Sequence, residues 1–238
     1  GLEVHTVLSG PADGRSPNVE LIERFGGTVH QAVTADRAER EALVDRVAGE
    51  LRAAGRRVKV IPVGGSDAAG AWGQVLAGLE VLDQASALEF VPDAIVLPTA
   101  TGGTHAGLIT GAALAAEHPT AAPGRSRRIV GVVVAHSAAE VRPVIERLVG
   151  ELAELAQRDR PPDAIELDDT ELGPGYGIVT DASTEAAGLL ARTEGILVDP
   201  IYGAKALAGL IDLVRSGSID GQRVIFWHGG GLPSPFEP

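Results

Sequence analysis

Thr99, Thr101, Gly102, Gly103 and Thr104 fall together between an apolar run, Ala94-Ile95-Val96-Leu97, and an alanine-rich segment of helical pattern. Backbone N–H groups at the start of a helix are unpaired, glycines remove side chains that would hold a ligand away, and hydroxyls add donors. At a strand-to-helix turn this combination is phosphate-binding chemistry. The same residues also fit an ordinary tight turn with no ligand. The chain carries neither G-x-x-x-x-G-K-[ST] nor a G-x-G-x-x-G after a strand, so a nucleotide is not the expected phosphate carrier. Behind the turn, Gly103, Gly107, Gly111 and Ala115 recur at spacing four, which predicts a bare helix face lying close against a sheet.

The elements that must position this turn alternate between strand-like and helix-like segments. Leu2, Val4, Thr6 and Leu8 alternate as a strand; residues 19–25 read as a short helix and 28–33 as a strand. Asp36 caps the next helix, with Glu39 completing a capping box and Leu43, Val47 and Leu51 facing inward; Gly55 ends it. A strand is expected over 58–63. A second strand-to-helix turn, Gly64-Gly65-Ser66-Asp67, follows, with Ser66 or Asp67 as N-cap of a helix running to about Gln84. Further strands are expected over 94–99 and 128–135, around Ile165 and over 223–227, with helices over 138–156, 184–194 and 204–216. Such alternation predicts an α/β protein, a mostly parallel sheet flanked by helices, with ligands at the carboxyl ends of its strands.

Composition narrows the partners. The 238 residues are 45% hydrophobic with a formal net charge of −12, which argues against nucleic acid and against an anionic membrane, both of which need a basic face. There is no cysteine, so disulfides, thiolate catalysis and cysteine-bound metals are excluded within these residues, and six scattered histidines suggest no metal site. No segment has the length and apolarity of a membrane span and no signal peptide is apparent, so a cytoplasmic protein is expected. Lysine occurs only at Lys59 and Lys205, tyrosine only at Tyr176 and Tyr202.

Five stretches together resemble a known family: Ile61-Pro62-Val63-Gly64-Gly65-Ser66; Gly103-Thr104-His105-Ala106-Gly107; Pro174-Gly175-Tyr176-Gly177; Asp199-Pro200-Ile201-Tyr202 with Lys205-Ala206-Leu207-Ala208-Gly209-Leu210; and His228-Gly229-Gly230-Gly231-Leu232-Pro233. In this order they are similar to the D-cysteine desulfhydrase and 1-aminocyclopropane-1-carboxylate deaminase family, which are fold type II enzymes using pyridoxal 5'-phosphate. The resemblance implies a smaller α/β domain, of which residues 1–62 are the remainder, and a larger cofactor-binding domain over 63–238. It implies that Thr101, Gly102, Gly103 and Thr104 hold the cofactor phosphate, that His228 and Gly229 lie at the cofactor, and that Tyr202 and Tyr176 are catalytic. A phenol ionises near ~10, so proton transfer at neutral pH needs a neighbouring cation or the cofactor's charge.

The family's aldimine lysine and its substrate-facing serine and asparagine belong to patterns that these residues do not contain. Lys59 reads as a surface lysine, and Lys205 matches a different family lysine. A glutamate after the catalytic tyrosine, in the deaminases, or a threonine after the final-strand histidine, in the desulfhydrases, contacts the pyridine nitrogen; here those positions are Gly203 and Gly229. The expected function is the larger subunit or fragment of a lyase or deaminase that releases ammonia and a 2-oxo acid from a small amino acid. A second polypeptide would carry the lysine and cover the first strand, and the resemblance allows further homo-oligomerisation. The alternatives are a non-catalytic binding or scaffold subunit of the same fold and, more weakly, a binder of another phosphorylated small molecule.

Overall fold

In the computed structural model, which describes residues 1–10, 17–117, 127–161, 165–219 and 223–230, the chain separates into two units, Gly1–Ile61 and Pro62–Pro238. The first unit holds β1 (His5–Leu8), α1 (Pro17–Arg24), β2 (Thr28–Gln31) and α2 (Arg37–Ala53). β1 and β2 pair in parallel, with His5 opposite Thr28, and α2 buries Leu43 and Val47 beside Ala32. The Asp36 carboxylate caps α2 on the Glu39 N–H. Glu39 does not close the expected capping box: its carboxylate accepts from the Val33 and Thr34 N–H groups, clamping the entry to the helix instead. The strand expected over 58–63 is also absent. Residues 58–62 are irregular, because Pro62 has no N–H to give a ladder and no described strand pairs with them.

The second unit is a parallel sheet of β3 (Ala94–Thr99), β4 (Arg128–Val133), β5 (Glu166–Asp168) and β6 (Val224–Phe226), in the order β5-β4-β3-β6. Buried on both faces, β3 and β4 read as continuous apolar runs, and the two-residue period divides them. Ile95, Leu97, Ile129 and Val133 face α3 (Ala68–Ala87), α4 (Gly103–Ala116) and α5 (Ala138–Ala156). Ala94, Val96, Val130 and Val132 face the side covered by α7 (Gly203–Arg215), on which α6 (Asp181–Glu194) packs through Ala186. Ser137 and Glu140 close a capping box on α5. Among the described residues no helix is long and apolar enough to cross a membrane.

The bare face of α4 does not lie on the sheet as its spacing suggests. A Cβ at Gly107 would stand 2.7 Å from the Ala71 carbonyl oxygen, and one at Gly111 2.8 Å from that of Val75. Both carbonyls are on α3, so the glycines let two helix backbones touch while Ala106, Leu108 and Ile109 join the core on the sheet.

Candidate functional site

β3 ends at Thr99 and α4 begins four residues later, at the carboxyl edge of the sheet. Gly102, the N-cap of α4, has φ +84, a left-handed conformation that glycine takes without strain, and no side chain caps the helix. Behind it a Cβ would stand 2.8 Å from Ile145 Cγ1; a Cβ at Gly103 would stand 3.0 Å from Ser66 Oγ. Packing from behind therefore demands glycine at 102 and leaves little space for a side chain at 103. The front of the turn opens on a cavity of about 320 Å³, within the range of small-molecule sites, lined by residues 98–105, Asp199, Tyr202, Gly203, Gly229 and Gly230.

Two layers hold the turn. Asp67, not Ser66, caps α3 through the Gly70 N–H. Ser66 instead donates to Thr101 Oγ1 at 2.7 Å, which leaves the Thr101 hydroxyl proton for an acceptor. The preceding Gly64, at φ +67, passes so close to Thr101 that a Cβ would overlap its hydroxyl. Below the turn His105 is fully buried. Its Nε2 donates to the Ile129 carbonyl at 3.1 Å, and its Nδ1 faces the Thr99 hydroxyl at 3.3 Å. Burial lowers the imidazole pKa to about 4, so this ring is neutral and structural. Gly131 on β4 makes room for it, since a Cβ there would overlap both the ring and Thr99 Oγ1.

The opposite wall is the start of α7. Asp199 is buried, and its carboxylate accepts from the N–H groups of Ile201 at 3.0 Å, Tyr202 at 2.6 Å and Gly203 at 2.9 Å. An aspartate two to four residues ahead of free N–H groups closes a helix N-terminus in this way. It fixes Tyr202 at the N-cap with its phenol 2.7 Å from that of Tyr176. Burial, and then the Tyr176 phenol and the Asp199 charge, push the Tyr202 phenol above its ordinary range, so it holds its proton.

The structure thus brings Thr101, Gly102, Gly103, Thr104, Tyr202 and Gly229 to one cavity, with Tyr176 reaching it through Tyr202. His228 does not line it: its Nε2 donates to the Leu197 carbonyl at 2.9 Å and its Nδ1 accepts from the Gly230 N–H at 3.3 Å. Residues 231–233 of the final motif lie outside the described residues. Lys205 is buried and bonded to loop carbonyls, and Lys59 is exposed in the other unit. Asp199, Ser66 and His105 stand in the stretches that carry the family resemblance but are not among the site residues it implies; their local signals are an Asp-Pro pair ahead of a helix and a serine after two glycines.

These residues fit a phosphorylated cofactor. A turn with no side-chain cap offers N–H groups, Thr101 has a proton to give, and glycine at 102 and 103 keeps the approach clear.

Comparison with known proteins agrees with this reading. The family described as pyridoxal-phosphate dependent enzyme matches residues 1–230. D-cysteine desulfhydrases of Salmonella typhi and Salmonella newport are each 38% identical over 201 residues, covering 82% of this chain and 57% of the relative. The chain therefore spans little more than half the length of these curated relatives. A crystal structure of an ACC deaminase homologue superposes with a TM-score of 0.84 at 29% identity, covering 98% of this chain and 67% of that one. Serine racemase from Dictyostelium discoideum shares the fold, with a TM-score of 0.61 at 16% identity over 97% of this chain and 69% of that one.

Proposed function

From the premise that this chain belongs to the family of pyridoxal-phosphate-dependent enzymes, we propose that it forms the larger part of a lyase or deaminase acting on a small amino acid. The observation that carries the reading is the uncapped start of α4 facing a cavity whose other wall bears a protonated phenol. Thr101 to Thr104 hold the phosphate through backbone N–H groups and hydroxyls. Pyridoxal phosphate, when bound, supplies an electron sink for bonds at the α-carbon of an amino acid. Tyr202, held by Asp199 and kept protonated, would give its proton to the substrate once the bound cofactor's charge favours the phenolate, and Tyr176, exposed to solvent, would take up a proton there and pass one on through their hydrogen bond.

The Schiff-base lysine comes, in this proposal, from residues outside these 238, on the same or a second polypeptide. The positions of the two lysines favour this: Lys59 is exposed, and the Lys205 ammonium is bonded to the Leu172 and Gly175 carbonyls. The relatives' printed activity makes D-cysteine or a similar small amino acid the first substrate to test. A second reading, a non-catalytic subunit of the same fold, is favoured by Gly203 and Gly229, which line the cavity without a side chain at the two positions where the resemblance implies a partner for the pyridine nitrogen. Position 203 is tight, since a Cβ would stand 3.0 Å from Val198 Cβ and 3.1 Å from Asp199 Oδ2 and those groups would have to give way, whereas position 229 is open.

The deciding experiment is borohydride reduction of the protein isolated from its source, with native mass spectrometry and peptide mapping. The expected result is a pyridoxyl group on a lysine other than Lys59 and Lys205. A 24.4 kDa species with no reducible cofactor would overturn the catalytic reading in favour of the non-catalytic one.

A further inference from the structure

Lys205 is the largest fully buried side chain of the described residues, at 0% exposure, on a helix that could have placed an apolar residue there. A buried ammonium is costly unless its protons are taken up. Here Nζ donates to the carbonyl oxygens of Leu172 at 2.8 Å and Gly175 at 3.2 Å. Both belong to the loop that carries Tyr176, which is 61% exposed and whose phenol meets that of Tyr202. The loop is folded around the ammonium: Gly173 has φ +66, and a Cβ there would stand 3.8 Å from Nζ and 2.7 Å from Thr180 Cγ2.

We propose that Lys205 is a positioning residue for the phenol pair, its buried ammonium pinning the 172–175 loop to α7 so that the Tyr176 hydroxyl meets that of Tyr202. One helix then sets both partners, Tyr202 through Asp199 at its start and Tyr176 through Lys205 one turn later. The groups facing this arrangement are Glu171, which is buried, with Asp212 and Asp168 near it, and Asp199 near Tyr202. Burial lowers the Lys205 pKa, and the Glu171 charge opposes that fall. The inference rests on the proposed function only for its catalytic consequence, because the pairing is measurable without cofactor.

The chain has two tyrosines, so carbon-13 ring labelling gives each phenol its own signal in NMR of the whole chain. The variant is Lys205→Met, of similar length and uncharged, with Tyr176→Phe as reference. In Tyr176→Phe the Tyr202 midpoint should fall by about one pH unit, because a hydrogen-bonded partner that raises it is gone. Lys205→Met should give a fall in the same direction and lose the contact between the two rings. Simple loss of a nearby cation would move the midpoint the other way, upward, so the sign separates positioning from charge. An unchanged midpoint, a rise, or a retained ring contact would overturn the proposal. Lys205→Gln carries the same test if the methionine variant does not fold. Failure of both to fold would make Lys205 a determinant of the fold instead, and would overturn it too. Absence of cofactor binding, by contrast, would count against the proposed function and leave these signals untouched.

Discussion

Two helices begin at the same cavity and end their first turns in opposite ways. At α4 the N-cap is Gly102 and no side chain caps the helix; at α7 the carboxylate of Asp199 accepts three N–H groups. A helix start carries partial positive charge, and each end must find a negative partner. α7 carries its partner within the chain and spends it on holding Tyr202. α4 leaves the place to a ligand. Under the proposed function the difference divides the roles: anion recognition at one wall, proton handling at the other.

The comparison is broken most severely from the open side. Gly102→Val puts a branched side chain at positive φ against Ile145, and is expected to lose about 4 kcal/mol of stability in urea unfolding, from strain plus overpacking. In whatever fraction folds, preference for pyridoxal 5'-phosphate over pyridoxal should vanish in equilibrium dialysis.

Acid attacks the same wall from below. His105 binds its proton in the unfolded chain near pH 6.5 but in the folded chain only near 4. Between those values the unfolded state holds more protons, so stability falls as pH falls, by about 3 kcal/mol in all, and levels off below 4. Unfolding free energies at pH 7 and 4.5 should show the loss, and His105→Gln should flatten the slope.

On the closed side, Asp199→Ala frees three N–H groups beside a cavity that water can enter, an expected loss of about 2 kcal/mol. Phosphate preference should survive while the Tyr202 titration shifts; loss of phosphate binding here would erase the division between the walls. The smallest effect is expected for Thr101→Val, about 1 kcal/mol for the bond from Ser66. Its phosphate affinity should drop more than its stability.

Much of this was readable in advance where the signal is local. The capping residue Asp36, the buried runs of β3 and β4 and the glycine turn after β3 all follow from chemistry within a few residues. Reading failed where the partner is distant. The spacing of Gly103, Gly107 and Gly111 announced a close approach but not whether a sheet or α3 would make it. The alternation over 58–63 looked like a strand, yet a strand exists only where another pairs with it.

An α/β chain of the pyridoxal-phosphate-dependent kind, with a glycine-rich turn after a buried strand and two tyrosines, was legible from sequence alone, because strand period, turn chemistry and motif order are properties of neighbours along the chain. Only the tertiary structure decided what His105, Asp199 and Lys205 do. Each is a polar side chain buried against groups brought near by folding, and burial makes an unmet donor or charge so costly that its partners are dictated by whatever surrounds it.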